Sequence, residues 1–375
     1  MFVGVPESEI GHQPGRETWP RVAISILNWN GWPDTLRCLD SVRQLRYPNY
    51  LVVVGENGSC DDSTARIRAW AAEKLGPEHV AADYTRVTAL LGGDEPTEHA
   101  LEQALSSTRL VLIRNEENLG FTGGNNVTIR YALTRKHPAD LVLLLNNDTV
   151  VSPECLTCLV KAMQKANAGI AEAAVFNDGA LAPEEPWIPP RWHIRFARLF
   201  REKIGPFVAV DNFREVIAAH GSAMLLRSEM LRAVFSIQGE YLHERFFMYL
   251  EDVGISVRSR KLGYRCIRAH DAVVWHKGAA SSGGKYNCLE YYYSHRNALL
   301  LSKELRPSEK VIVRVMNLPR IFGRIAKCIL RRRFAAAHAI LSGLIAGYCG
   351  VGGKWEKHDG VRRADRTALE RPSRV

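Results

Sequence analysis

The chain has no N-terminal apolar stretch resembling a secretory signal, and its eight cysteines lie scattered, without the dense spacing of a disulfide framework. Both absences lead to the expectation of a protein of the reducing cytoplasm. Cys155 and Cys158 form a CxxC, but no second Cys/His pair stands nearby to complete four zinc ligands. Leu156, Leu159, Val160 and Met163 repeat around them at helical spacing, so the pair is read as part of a packed helix. The most apolar run, FAAAHAILSGLIAGYCGV (334–351), has 18 residues and carries His338 and three glycines. It is short for a spanning helix and suits a re-entrant, interfacial or core-packed segment better. The glycine-rich loop GFTGGNN (120–126) is neither GxGxxG nor GxxxxGK[ST], which argues against a dinucleotide-binding fold and a P-loop NTPase. A surplus of positive charge over the whole chain is also missing. The net +10 of the 375 residues resides in residues 301–375, with 17 Lys/Arg against 6 Asp/Glu, and residues 1–300 hold 33 against 34. A nucleic-acid-binding fold, basic throughout, is disfavoured, and no nucleic-acid partner is expected.

What is present is an ordinary globular composition, 46% hydrophobic and 24% charged, in which strand and helix patterns alternate. VAISIL (22–27), Leu51–Val54, Leu110–Ile113 and Leu141–Leu145 read as strands apolar on both faces. Helical periodicity follows at Asp34–Val42 behind Pro33, at Thr64–Leu75 and at about Asn126–Thr134. The pattern predicts an α/β fold with a parallel sheet covered on both sides. Such a sheet binds ligands at the carboxyl ends of its strands. Here four consecutive strand ends carry Asn, Asp or Gly clusters: NWNGW (28–32), ENGSCDDS (56–63), RNEENLGFTGGNN (114–126) and NNDTV (146–150). Four in register predict a nucleotide-sized site. Residues 80–108 read as an insertion on the rim, 177–214 as an irregular excursion, and 1–20 as a tail.

Three further positions carry chemistry. Asp148, with Asn146 or Asn147, has the donor types to hold Mg2+ or Mn2+ beside phosphate oxygens; the alternative is a helix cap by Thr149 or Ser152 before Pro153, which Asp148 supports. Glu251 and Asp252 open a helix and point to different faces, with Arg258 returning to the face of Glu251. An acidic N-terminus answered by a basic C-terminal half is the bland alternative. His276 ends a strand as a neutral ligand or a surface histidine.

The order and context of these segments resemble the family 2 glycosyltransferases, which have the GT-A fold, and more narrowly their bacterial rhamnosyltransferase-like branch. VAISILNWNGWPDTLRCLDSV resembles the opening strand and helix, VVVGENGSCDDS and NLGFTGGNN the two nucleotide loops, and LLLNNDTVVSP the metal-binding DXD-like motif. FFMYLEDVGISVRSR resembles the catalytic ED motif, and WHKGAASSG with YYYSHRNAL the end of the catalytic domain. The resemblance implies a mostly parallel Rossmann-like sheet over residues 21–303 and a metal-dependent, inverting transfer of a sugar from a dTDP- or UDP-linked donor. It places Asn28, Asn30, Glu56, Asn57, Asn118, Gly120, Phe121, Gly124, Asn125 and Asn147 around the nucleotide sugar, with Arg258 there as a diphosphate partner or else a structural one. Asp148, Asn146 and His276 would hold Mg2+ or Mn2+, and Asp252 would be the catalytic base beside Glu251. Three positions depart from the family pattern: Glu56 stands for its usual Asp, Asn146 for the first metal-motif acid, and Gly254 for the second acid of EDxD. A nucleotidyltransferase of similar fold is a weaker alternative, since NWNGW has no Lys or Arg; a non-catalytic sugar-nucleotide-binding protein is another.

Residues 304–375 form a basic helical C-terminal region. Within it EKVIVRVMNLPRIFGRIAKCILRRR (309–333) has the composition of an amphipathic helix on anionic lipid, broken near Pro319. A helical subdomain docked on the core is the even-handed alternative. The expected setting is the cytoplasmic face of the inner membrane, with a glycan or polyprenyl-diphosphate-linked acceptor.

Overall fold

The computed structural model describes residues 19–75, 82–103, 108–178, 209–210, 212–278, 288–305 and 307–355. Most of the tail, most of the 177–214 excursion, the Gly/Ser loop after His276 and residues 356–375 lie outside the described residues.

The apolar runs become one sheet. Its strands are β1 (Val22–Asn28), β2 (Tyr50–Asn57), β3 (Ala82–Thr85), β4 (Thr108–Asn115), β5 (Leu141–Asn146) and β6 (Thr149–Val151). They continue with β7 (Ala168–Asn177), β8 (Ala209–Val210), β9 (Phe213–Glu215), β10 (Ala223–Arg227) and β11 (Arg265–His276). The order is β3-β4-β2-β1-β5-β10-β7-β11-β9-β8, with β6 paired to β11. β3, β4, β2, β1 and β5 run parallel, as do β7 and β11, while β10 is antiparallel to both β5 and β7. The sheet is thus mostly parallel, as expected.

Helices cover both faces. α1 (Trp32–Val42), α2 (Ser63–Leu75) and α6 (Cys155–Ala166) enclose one core with Val22, Ile24 and Ile26 of β1. α5 (Gly120–Thr134) and α7 (Ser228–Gln238) enclose the other with Ala23, Leu51 and Val53, the alternate residues of the same strands. Cys155 is buried in α6, as its helical periodicity predicted. The rim insertion is more regular than expected. Tyr84 pairs with Ile113 in the edge strand β3, and α3 (Arg86–Leu90) and α4 (Glu95–Gln103) follow. The buried ion pair Arg135–Glu98 (2.8 Å) ties α4 to α5.

Beyond β10 come α8 (Glu251–Lys261) and α9 (Cys288–Leu301), then α10 (Pro307–Val311), α11 (Leu318–Leu330) and α12 (Phe334–Cys349). α11 starts with Pro319 in its first turn, so the basic segment breaks where expected. α12 docks on α9 through small residues. A Cβ on Gly343 would lie 2.4 Å from the Tyr292 carbonyl oxygen, and one on Gly347 2.8 Å from Leu299 Cβ. Among the described residues no helix is long and apolar enough to cross a membrane. Gly343→Ala should lower unfolding stability by about 1–3 kcal/mol in urea titration, because a backbone carbonyl blocks the added carbon. Gly323→Ala on α11, with nothing within 4 Å of the added carbon, should be neutral or stabilising by up to about 1 kcal/mol.

Candidate active site

Parallel register turns four polar loops into one site. Asn28 at the end of β1 pairs with Glu56 of β2, Leu27 with Asn146 of β5, and Asn57 of β2 with Asn115 of β4. The loops are then bound together by side chains. Asn28 donates from Nδ2 to Ser59 Oγ (3.3 Å) and accepts from Thr35 Oγ1 (2.7 Å), while Asn147 Nδ2 donates to Thr35 Oγ1 (3.0 Å). Ser59 Oγ also accepts from the Asn30 backbone N–H (2.9 Å), and the Ser59 N–H donates to Glu56 Oε1 (2.8 Å). Asn30 has φ +48° and accepts the Cys60 N–H at Oδ1 (2.9 Å). Asn30, Asn118, Phe121 and Asn147 keep partial exposure at this edge, and Glu56 is buried beneath the Ser59 turn.

Several residues expected around the nucleotide support that edge from below. Asn57 is buried, donating to Asn118 Oδ1 (3.2 Å) and the Gly120 carbonyl (3.1 Å) and accepting from the Leu119 N–H (3.3 Å). Asn125 is buried too, accepting from Ser25 Oγ (3.0 Å) and donating to the Phe121 carbonyl (2.9 Å). A Cβ on Gly124 would meet Leu27 Cδ1 at 2.5 Å, so this glycine is there for helix–sheet contact. The glycine-rich segment itself is not a loop, because α5 already begins at Gly120. Gly120 has φ +73°, and a Cβ there would strike the Phe247 carbonyl oxygen at 2.4 Å.

Arg258 stands in the last turns of α8. Its guanidinium is buried against Glu240 and Glu304 (3.3 Å each) and the Tyr241 carbonyl (3.5 Å), with His243 between the two carboxylates. Periodicity placed it on the face of Glu251, and its ion pairs tie α8 to Glu240 and Glu304.

At the end of β5, Asp148 Oδ1 lies 3.0 Å from His276 Nε2, and the same nitrogen is 3.4 Å from Asn146 Nδ2. Antiparallel pairing of β11 with β6, His276 opposite Thr149, creates this approach across 128 residues. Asn146 Oδ1 is buried without a partner among the described residues. One carboxylate, one imidazole and one orphaned amide oxygen are donors that suit Mg2+ or Mn2+ once phosphate oxygens complete the shell. Among the described residues no group of three or more His, Cys, Asp or Glu is assembled that would hold a metal unaided.

Two hydrogen bonds connect this corner to the acidic pair. The Asn146 N–H donates to the Ser222 carbonyl (2.9 Å), and the neighbouring Gly221 N–H donates to Asp252 Oδ2 (3.2 Å). Asp252 Oδ1 accepts from the Val253 N–H (2.7 Å). Burial raises the Asp252 carboxyl above the usual carboxylate range, with those two N–H groups opposing it. Burial raises Glu251 further, and the Asp252 charge adds to it; Glu251 Oε2 is enclosed without a partner among the described residues. The pair is aimed by a strained turn. Phe247 (φ +62°, ψ −55°), with the Met248 N–H donating to the Phe246 carbonyl (2.7 Å), forms a γ-turn of the rare positive-φ kind. Tyr249 (φ +67°) and Leu250 (φ +70°) follow, each such residue costing about 1–3 kcal/mol.

Sequence reasoning missed Thr35 and Ser59, which bind the loops together, and the His220–Ser222 turn that backs Asp252. The polar SCDDS run was a signal for Ser59. Thr35 was indistinguishable from an ordinary helix residue.

A mostly parallel sheet with helices on both faces, whose strand-end edge carries an acid, a histidine and a buried acid pair, has the architecture of the GT-A class of folds. Residues 141–293 match the family model described as glycosyl transferase family group 2, and the fold matches that of GT-A glycosyltransferase structures. A curated relative is the low-salt glycan biosynthesis hexosyltransferase Agl10 of Haloferax volcanii, 26% identical over 216 residues. That match covers 56% of this chain and 66% of the relative's length. Among solved structures, the mannosyltransferase PcManGT of Pyrobaculum calidifontis, in complex with GDP-Man and Mn2+, has TM-score 0.54 at 12% identity and 88% coverage of both chains. GalNAc-T7 with UDP, GalNAc and Mn2+ has TM-score 0.50 at 12% identity, over 80% of this chain and 50% of its own.

Because both carboxyls bind a proton more tightly in the folded chain, the unfolded chain holds fewer protons through this range and stability falls as pH rises. Glu251→Gln should therefore flatten the decline of Tm between about pH 5 and pH 8 in thermal unfolding. An unchanged slope would show that the pair is not held protonated by burial.

Proposed function

We propose that the protein is an inverting, divalent-metal-dependent glycosyltransferase that moves a sugar from a nucleotide donor to a hydroxyl of a glycan or lipid-linked glycan in cell-surface polysaccharide assembly. The observation that carries this reading is the joining of the register-aligned strand ends to Asp252 through the Asn146–Ser222 and Gly221–Asp252 hydrogen bonds. It supports the reading of a diphosphate-binding corner and a proton acceptor on one edge of the sheet. The named ligands GDP-Man, UDP and Mn2+ of the structural neighbours agree with a nucleotide-sugar donor and a divalent ion.

Glu56 and Asn118 read the base, and Asn28 and Asn30 shape its pocket. Asp148, His276 and the Asn146 amide oxygen would hold Mg2+ or Mn2+, which supplies charge neutralisation for the departing nucleoside diphosphate. Asp252, with one oxygen on the Gly221 N–H and the other on the Val253 N–H, is fixed to take the acceptor hydroxyl proton as that oxygen attacks the anomeric carbon. One displacement inverts that carbon. Burial makes Asp252 a stronger base than an exposed carboxylate, and Glu251, kept protonated by its enclosure, adds no second negative charge beside it. The donor is dTDP-rhamnose or a UDP-hexose.

The C-terminal helices support attachment to an anionic membrane surface. Of the sixteen exposed large apolar side chains among the described residues, eleven lie in 311–351, including Phe322, Leu330, Phe334 and Ile345, so this face is set apart from the rest of the surface. Exposed Arg320, Arg324, Lys327, Arg331 and Arg332 accompany them. The expected result is binding to vesicles containing anionic phosphatidylglycerol that weakens with salt and fails with neutral lipid; equal indifference to both would remove the attachment.

A thermal-shift panel of nucleoside diphosphates and nucleotide sugars with and without Mn2+ identifies the donor. Asp252→Asn should then reduce nucleoside diphosphate release by a factor of about 100 to 10,000 while donor binding is retained. Full turnover in that variant would overturn the assignment of the base. Donor binding without any release by the unaltered protein would indicate a sugar-nucleotide-binding protein.

A further inference from the structure

We infer that Arg296 and Asn297 of α9 are positioning residues that hold the Arg245–Leu250 turn and thereby set where the Glu251–Asp252 pair enters the site, an inference that rests on the reading of Asp252 as the base. Both side chains are 0% exposed. Arg296 is a buried cation with no carboxylate partner among the described residues, an arrangement that is costly unless its donors are otherwise met. They are met by main-chain oxygens. One Nη donates to the carbonyls of Arg245 (3.0 Å) and Phe246 (2.8 Å), and the other to Gly353 (2.6 Å). The guanidinium also lies over the rings of Tyr292 and Tyr293, 5.3 and 4.7 Å from their centroids.

Arg296 Nε donates to Asn297 Oδ1 (2.9 Å), which fixes the amide with its N–H groups facing the turn. Asn297 Nδ2 donates to the carbonyls of Phe246 (3.1 Å), Met248 (2.8 Å) and Tyr249 (2.8 Å). Positive φ at Phe247, Tyr249 and Leu250 takes the chain after the Glu244–Phe246 turn of 3-10 helix out of any helix or strand ladder, so the carbonyls of Met248 and Tyr249 take partners from outside the stretch. The two side chains supply partners for Arg245, Phe246, Met248 and Tyr249. From the opposite side the Thr122 N–H, in the first turn of α5, donates to the Phe247 carbonyl (3.1 Å). The turn is therefore gripped between the nucleotide edge and α9, and it ends at the acid pair. The chain after α12 completes the grip: the Gly353 N–H donates to the Arg245 carbonyl (2.8 Å), and the Trp355 ring stacks on Tyr292 at 4.3 Å. Space filling alone would be served by apolar side chains. A donor array matched to the carbonyls of a strained turn holds a position.

The test is Asn297→Asp, which keeps the shape of the side chain and gives Arg296 a counter-charge, yet removes the N–H donors that face the turn. Arg296→Lys is the second variant, retaining charge but losing the fork. With the donor that the unaltered protein turns over, Asn297→Asp should lower kcat by a factor of about 100 while KM stays within about threefold, and Arg296→Lys should lie between. Amide exchange at Met248–Val253 should accelerate in both, and Tm of Asn297→Asp should fall, since its donors offset part of the cost of the turn. Unchanged kcat, or a KM that rises in step with the fall in kcat, would overturn the inference. If the unaltered protein turns over no donor, it is the proposed function that fails. The carboxyl 13C titration of Asp252 then decides for the turn: a move toward the ordinary carboxylate range in Asn297→Asp upholds the grip, and an unmoved titration overturns it.

Discussion

Parallel strands whose two faces are both covered must end together, because a strand that ran on would carry unpaired backbone groups past its neighbours. β1, β2, β4 and β5 meet this constraint residue by residue, with Asn28 opposite Glu56, Asn57 opposite Asn115 and Asn146 next to Leu27. Everything chemical in the molecule follows from that alignment. The polar residues just past each apolar run are forced into one row, and short side-chain bridges through Ser59 and Thr35 are then enough to make four separate loops a single surface.

The second half of the chain brings the candidate acids and the histidine to that row by longer-range contacts. β10 runs antiparallel to β5, so the turn that precedes it, His220–Ser222, arrives at the strand end where Asn146 stands. β11 returns from the far side of the sheet to pair with β6, and this brings His276 to Asp148. The acidic pair is placed at a cost, with positive φ at Phe247, Tyr249 and Leu250 and with two carboxyls lifted above their usual range by burial. Those costs are offset by hydrogen bonds from α5 and α9. The C-terminal helices thus have two sides: one face of α12 packs on α9, its other face leaves apolar side chains outward, and α11 with the two residues after it adds exposed Arg and Lys.

Much of this was legible before any coordinates. Strand and helix positions followed from apolar runs and helical spacing, and the ligand edge from the polar clusters behind the runs. The candidate residues divide by reach. Asp148, Asn146, His276, Asp252 and Glu251 could be singled out because a carboxylate or imidazole at a strand or helix end is visible locally. Asn57, Gly124 and Asn125 have the same composition as ligand-facing residues, yet they point below the edge into hydrogen bonds and helix–sheet contact. Helical periodicity shows which residues share a face, but it does not show what lies opposite. Arg258 is therefore drawn to Glu240 and Glu304, residues far from the nucleotide loops in sequence.

The sequence by itself determined the fold class and the division of charge between a neutral α/β region and a basic end, and it singled out the carboxyl edge as the candidate site, because each is read from residue order and composition along the chain. Tertiary structure alone decided that Asp148 meets His276, that Asp252 is backed by Gly221, and that Arg296 and Asn297 hold the turn before the acid pair. Those contacts join segments separated by 31 to 128 residues. Their hydrogen-bond geometry arises only when the sheet order has brought the segments together.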